Sequence, residues 1–400
     1  MGEVSSALNS GNDQNLNAAT GPASVMFVAA EASSSHYALK ILQEWKRQGR
    51  NIHTFGVGSQ DMENLGFERL GKSEEMAVVG ASEIIAQYEK LKAVFDRLVE
   101  EAARRRPQVV VVMDYPEFNL MLSKKLKALG LKVVYYISPQ VWAWRKGRVK
   151  TIKKYCDKAL LLFPFEVAFY EQHQVPCEFV GHPLLDEVDE KFFDPEYRKL
   201  HRNRCGIQDQ EMVLGLMPGS RRLELKNHLP QQLRVAGELM RKHPNLRLVI
   251  LCAPTIEKEQ ILAYMEDFRF SFQLLKTDPF EMIHLVDVML AASGTATLQV
   301  GLLEKPMVIM YRMSNMTALF AKLVVKGYFG LVNLILGEEV VPERFQWRAT
   351  DEELFRLLDQ WISNPQSQDP VIQKLKLLKS KLGDRGATAR VVKILERYLP

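Results

Sequence analysis

Short apolar runs recur along the chain, separated by longer stretches in which apolar residues return at every third or fourth position. Val25–Ala30, Asn51–Val57, Val109–Met113, Lys132–Ile137 and Ala159–Phe163 read as strands. A helix follows the first of them through Trp45, and Ser82–Arg106 reads as a long helix ending in Arg104, Arg105 and Arg106. The unbroken run Val109–Met113 (VVVVM) predicts a strand buried on both faces, as in the middle of a parallel sheet. Strand, helix, strand in this rhythm is the pattern of a doubly wound α/β sheet.

Polar, charge-dense sequence from Asp186 to Gln210 breaks the rhythm and reads as a linker. A second series starts at Val213–Met217 and continues at Leu246–Cys252, Val286–Ala291 and Pro306–Tyr311, after which the chain is mainly helical. The predicted organisation is a disordered tail at 1–24, a Rossmann-like domain at 25–185, a linker at 186–210, a second Rossmann-like domain at 211–345, and C-terminal helices at 346–400. Two such halves facing across a cleft are the expected architecture.

Composition narrows the classes without choosing among them. Over 400 residues, 47% hydrophobic and 25% charged residues are ordinary for a soluble globular chain and exclude a fully disordered or collagen-like one. A net charge of +5 favours anionic ligands or membrane surfaces. Cys156, Cys177, Cys205 and Cys252 form no C-x-x-C pair, so reduced cytosolic thiols are expected, with neither a disulfide framework nor a structural zinc site. The most apolar long stretch, Ala318–Leu336, is interrupted by Lys322, Lys326 and Asn333, and reads as a buried or surface-lying amphipathic helix followed by a loop. Gly56-x-Gly58 lacks the third glycine of a dinucleotide fingerprint, and no P-loop motif is present. The histidines fall at no metal-ligand spacing, and no Asp-x-Asp follows a strand, so neither a metal nor a cofactor is expected.

In open parallel sheets ligands bind beyond the carboxyl ends of the strands, so the residues after each apolar run carry the chemistry. Asp114 follows Val109–Met113 directly; it suits a general base at the cleft, and equally a cap on the helix starting near Glu117. Gly219-Ser220-Arg221 follows the strand at 213–217 and precedes a helix, an arrangement of backbone N–H groups and a cation suited to a diphosphate; the plain alternative is a glycine turn with a serine cap. Ser293-Gly294-Thr295 repeats that arrangement after the strand at 286–291, which points to a phosphorylated donor in the C-terminal half. Six basic residues between Arg145 and Lys154, including Arg148, adjoin Trp142 and Trp144. They fit a phosphate or lipid headgroup as well as a solvated helix face, and one short run is no basis for expecting nucleic acid. Ile84, Ile85, Tyr88 and Leu91 share one helical face beside Lys90 and Lys92, a pattern that serves core packing or an acyl-chain or bilayer contact.

Several blocks, in order, resemble the lipid-A-disaccharide synthases, inverting glycosyltransferases of the GT-B fold. They are DYPEFNL at Asp114–Leu120, YYISPQVWAWRKGRVKTIKK at Tyr135–Lys154, LFPFEVAFYEQHQVPCEFVGHPLLD at Leu162–Asp186, MPGSRRLE at Met217–Glu224, ASGTATL at Ala292–Leu298 and VVPERFQ at Val340–Gln346. The resemblance implies transfer from UDP-2,3-diacylglucosamine to 2,3-diacylglucosamine 1-phosphate, giving the β-1,6-linked lipid A disaccharide phosphate and UDP. It makes the N-terminal domain the acceptor and lipid half and the C-terminal domain the UDP-donor half. By the same resemblance Asp114 is the base for the acceptor 6-hydroxyl, and Arg221 stabilises the leaving UDP with the Ser293–Thr295 turn, without metal. Gln299 and Asn333 fall near the nucleotide, and Glu31, Ser33 and Asn119 are candidate substrate contacts. Because the substrates are acylated, peripheral association with the cytoplasmic face of the inner membrane is implied, and a homodimer is left open.

Departures from the family pattern bear on the donor. Where the family usually has Gly-Glu-Ala-Ser-Gly-Asp, this chain has Ala30-Glu-Ala-Ser-Ser-Ser35, so side chains at Ala30 and Ser34 are expected to crowd a close backbone approach. Gln299 replaces a glutamate. The alternatives are therefore a GT-B enzyme using another UDP-sugar and a non-catalytic paralogue that binds acylated glucosamine.

Overall fold

The computed structural model describes residues 23–76, 84–139, 147–313 and 327–400. The tail to residue 22, the side chains of Ile84 and Ile85, Trp142, Trp144 and Arg145, and residues 318–326 lie outside the described residues.

The apolar runs form two parallel sheets. The first contains β1 (Ser24–Ala29), β2 (His53–Gly58), β3 (Glu68–Lys72), β4 (Val109–Met113), β5 (Val133–Tyr136), β6 (Lys158–Leu161) and β7 (Cys177–Phe179), in the order 3-2-1-4-5-6-7. The second contains β8 (Met212–Met217), β9 (Leu246–Leu251), β10 (Gln273–Leu275), β11 (Val288–Ala292), β12 (Met307–Tyr311) and β13 (Glu343–Phe345), in the order 10-9-8-11-12-13. Every residue of β4 is buried. Val109, Val111 and Met113 enter one apolar cluster while Val110 and Val112 enter another, which is why the strand carries no polar alternation. The helix Ala32–Arg47 covers the first cluster with Tyr37, Ala38, Ile41 and Trp45, and Trp45 meets Phe27 of β1 edge-on at 5.9 Å.

In both sheets strand order reverses around the first strand of the series: between β1 and β4, and between β8 and β11. Chain connections leave these strand pairs in opposite directions, so a crevice opens at their carboxyl ends. Each domain therefore presents one such crevice.

The region read as a linker is structured. Asp194 caps a helix, Pro195–Arg204, by accepting from the Glu196 N–H at 3.0 Å. That helix is strapped to the second sheet by Asp287, whose carboxylate takes Arg198 at 2.6 Å, Arg202 at 3.4 Å and the Val213 N–H of β8 at 2.7 Å. The C-terminal helices divide between the domains. Asp351–Ser363 packs on the second sheet, whereas Ala387–Glu396 returns to the helix Ala32–Arg47 of the first. Its N-terminus is capped by the Asp186 carboxylate through Gly386 N at 2.5 Å and Thr388 N at 3.2 Å. Arg390 reaches the Val180 carbonyl at 2.7 Å past Gly181, where φ is +81° and a Cβ would stand 2.6 Å from the guanidinium. One apolar cluster consequently runs from Phe27 through Val188, Phe192, Leu382 and Val391 to Met289. Of Ala318–Leu336, the described end forms a short helix, Leu331–Leu336, rather than a loop, because Val332 and Ile335 bury against that cluster.

Asp287→Ala leaves the buried Arg202 guanidinium and the Val213 N–H without their carboxylate. It is expected to cost about 3 kcal/mol in urea denaturation, with Asp287→Asn intermediate because an acceptor remains for Val213.

Candidate active site

Asp114 stands one residue past β4, at the reversal point of the first sheet. The turn that holds it is strained: Asp114 and Tyr115 both take left-handed backbone, with φ of 50° and 44°. Several bonds hold this conformation. Asn119 donates its amide to the carbonyls of Met113 at 3.0 Å and Asp114 at 2.7 Å, and the Tyr135 hydroxyl donates to the Asp114 carbonyl at 2.8 Å. The Asp114 N–H donates to the Ile137 carbonyl at 3.2 Å, and Pro116 starts the next helix with its φ already fixed. With the backbone groups occupied in this way, the carboxyl is left under the charges of Glu31 and Arg221.

The second crevice is built by the loop after β8. Gly219 has φ of +123°, and a Cβ there would lie 2.6 Å from Glu224 Cβ. The Glu224 carboxylate accepts the Ser220 N–H at 2.8 Å, and Thr255 donates its hydroxyl to the Ser220 carbonyl at 2.5 Å. Below the loop, buried His228 places one ring nitrogen 3.0 Å from the Pro218 carbonyl and the other 3.0 Å from the Arg312 N–H. One donor and one acceptor are what a neutral imidazole supplies, and burial lowers its pKa. Gln232 bridges the carbonyls of Met217, at the end of β8, and Leu290, in the middle of β11, at 3.3 and 3.2 Å. Ser293, Gly294 and Thr295 follow β11 beside this loop, and a Cβ on Gly294 would meet no atom within 4 Å.

The two crevices meet. Arg221, at the N-cap of the helix Arg222–Lys242, reaches across and binds Glu31 at 2.8 Å. Glu31 follows β1 and sits at the N-cap of Ala32–Arg47. Burial, and then the negative charge of Glu31, raise the Asp114 pKa to about 6, against the opposing pull of the Tyr115 N–H and Arg221. A carboxylate poised near neutrality, an arginine and two glycine–serine turns thus face one another at the reversal points of two sheets.

Other residues singled out in the sequence are placed differently. Asn119 is fully buried and supports the turn from beneath, so it acts on Asp114 rather than touching substrate. Asn333 is also fully buried, donating to Val341 O and Glu343 and accepting from the N–H groups of Val340 and Val341, which leaves it no free group for a nucleotide. Ala30 lies in the core and Ser34 folds back to accept the Glu31 N–H at 3.1 Å, so neither crowds the cleft. Ser33 and Gln299 are half-buried near their strand ends. Leu91 packs on the core while Tyr88 stands 64% exposed, and Arg148 is paired with Glu117. Sequence reasoning missed His228, Gln232 and Glu224, which sit on a helix away from the strand ends, and Tyr135, which lies inside β5. Only Glu224 left a readable signal, as an acidic residue in the first turn of a helical pattern.

Two parallel doubly wound domains with opposed strand ends define the GT-B class of sugar-nucleotide enzymes. The structure is similar to a putative UDP-N-acetylglucosamine 2-epimerase from Listeria monocytogenes, with a TM-score of 0.65 and 10% identity over 94% of this chain and 97% of that one. It is also similar to the glycotransferase of kitacinnamycin, with a TM-score of 0.58 and 15% identity over 95% and 100% of the two chains. At those identities the likeness establishes the fold alone. The sequence pattern of the lipid-A-disaccharide synthetase family matches residues 25–390. The lipid-A-disaccharide synthase of Myxococcus xanthus (strain DK1622) is 34% identical over 383 residues, 95% of this chain and 99% of that protein. The chain belongs to the lipid-A-disaccharide synthetase family of glycosyltransferases.

Two outcomes are expected from this geometry. A carboxyl that ionises at about 6 in the fold and near its ordinary value of 3.8 when unfolded opposes folding once both states are ionised, and the penalty grows as pH rises through that window. Asp114→Asn therefore stabilises the protein by about 2–3 kcal/mol at pH 8, with the gain vanishing below about pH 4, as thermal melts across pH would read. Gly219→Ala destabilises it by about 1–3 kcal/mol, while Gly294→Ala stays within about 0.5 kcal/mol of the parent in the same melts.

Proposed function

We propose that the chain joins UDP-2,3-diacylglucosamine to 2,3-diacylglucosamine 1-phosphate with inversion at the anomeric carbon, giving lipid A disaccharide 1-phosphate and UDP. The observation that carries this reading is the Asp114 carboxyl held at the acceptor-side crevice, facing Arg221 and the loop Gly219–Ser220 from the other domain. Asp114 takes the proton from the acceptor 6-hydroxyl as that oxygen attacks the anomeric carbon. The bond from that carbon to the phosphate oxygen breaks, and UDP leaves with the bonding pair. Arg221 and the N–H groups of Gly294 and Thr295 meet the charge that develops on the diphosphate, while the Ser220 and Ser293 N–H groups stay bound to Glu224 and the Met310 carbonyl. Gln299 is the candidate ribose contact, and Glu31 and Ser33 are candidate substrate contacts at the rim.

Acylated substrates require access to a lipid surface, and peripheral attachment to the cytoplasmic face of the inner membrane belongs to the same reading. Among the described residues no helix is long and apolar enough to cross a membrane. A shallow groove of about 660 Å³ on the N-terminal domain supports surface attachment. Phe95, Met121 and Tyr155 line it, with Lys124, Lys125 and Lys154 among its cations.

Purified protein given both acylated substrates is expected to form disaccharide and UDP. The rate falls tenfold per pH unit below about 6, where the base is protonated, and Asp114→Ala, though folded, loses at least about a hundredfold. Folded protein that binds UDP and forms no disaccharide would overturn the reading in favour of another donor or a binding role.

A further inference from the structure

Arg221 faces two carboxylates, Glu31 and, at 3.8 Å, Glu224. Its guanidinium lies 2.8 Å from Glu31, yet the reaction requires it at the donor diphosphate. Glu31 is mostly buried, with its side chain 20% exposed, and follows β1, the strand that pairs with β4 before Asp114. Among the described residues, the charged and titratable groups that act on the Asp114 carboxyl are Glu31, Arg221 and the phenols of Tyr37 and Tyr135, while the Tyr115 phenol turns away to the Met76 carbonyl at 3.2 Å. Burial raises the pKa of each of those phenols, so they stay neutral and the balance rests on Glu31 and Arg221.

We propose that Glu31 is a positioning residue that competes with the donor diphosphate for Arg221 and, once displaced, leaves its charge beside Asp114, so that donor binding itself strengthens the base. Without donor, Arg221 neutralises Glu31 and holds the two domains together across the cleft. With donor, the diphosphate takes the guanidinium, and Glu31 becomes an uncompensated carboxylate near Asp114. A second negative charge disfavours ionisation of the first, so the conjugate acid of the base becomes weaker and the base stronger only when a sugar donor is in place. This rests on the reading of Asp114 as base and Arg221 as the donor's cation.

Glu31→Gln keeps the shape of the side chain and removes its charge. It is expected to bind UDP about fivefold more tightly than the parent, because Arg221 is released from its competitor. The acidic limb of its rate profile moves to lower pH by about half a unit or more, because the neighbouring charge is gone. Glu31→Asp, which retains a carboxylate, keeps the limb near that of the parent. Equal or weaker UDP binding by Glu31→Gln, or an unmoved limb, overturns the inference. The reading beneath it fails separately, through a parent enzyme that makes no disaccharide or an Arg221→Gln variant that binds UDP undiminished. A merely structural Glu31 would lower stability without tightening UDP.

Discussion

An arginine from one sheet bound to a glutamate from the other, 2.8 Å apart, is the contact on which the site depends. Each sheet alone offers half of a reaction centre: a poised carboxylate at the end of β4, or an arginine in the loop after β8. Catalysis of transfer between two substrates needs the halves opposed at the distance of one bond-making event. The Glu31–Arg221 pair joins the halves across the cleft before the donor arrives. The C-terminal helix supports it from behind, crossing from the second domain to the first, where Asp186 caps it and Arg390 anchors it. Because the pair is partly exposed, it is a weak bond by itself and an exchangeable one, which suits a contact the donor must open.

Much of the fold was legible in the sequence for a physical reason. Strands buried on both faces must be apolar throughout, and Val109–Met113, Val213–Met217 and Val286–Ala291 announce themselves that way. The edge strands did not: Glu68–Lys72, Gln273–Leu275 and Glu343–Phe345 are short and half polar, since one flank meets solvent. The linker helix Pro195–Arg204 also read as loop, because its attachment to the second sheet runs through arginines and Asp287 instead of an apolar stripe.

The candidate site was legible wherever the rule about strand ends applies. Asp114, Glu31, Gly219–Arg221 and Ser293–Thr295 all stand directly after an apolar run. The rule says nothing of residues that act through the backbone. Asn119 and Asn333 lie in motifs shared with the family, yet Asn119 gives its NH2 to the carbonyls of Met113 and Asp114, and Asn333 spends its whole amide inside the fold. His228 and Gln232 sit on a helix and brace strands far away in sequence, a pairing that only tertiary structure reveals. The fold accommodates the substituted first motif in a similar way: Ser34 returns its hydroxyl to the helix cap and Ala30 turns into the core.

The most direct measurement is the position of the diphosphate in a crystal structure of the protein with UDP. The account predicts diphosphate oxygens about 3 Å from the Arg221 guanidinium and from the N–H groups of Gly294 and Thr295 after β11, with Arg221 withdrawn from Glu31 and Asp114 opposite. UDP bound away from that cleft, or bound there with Arg221 still on Glu31, would contradict it.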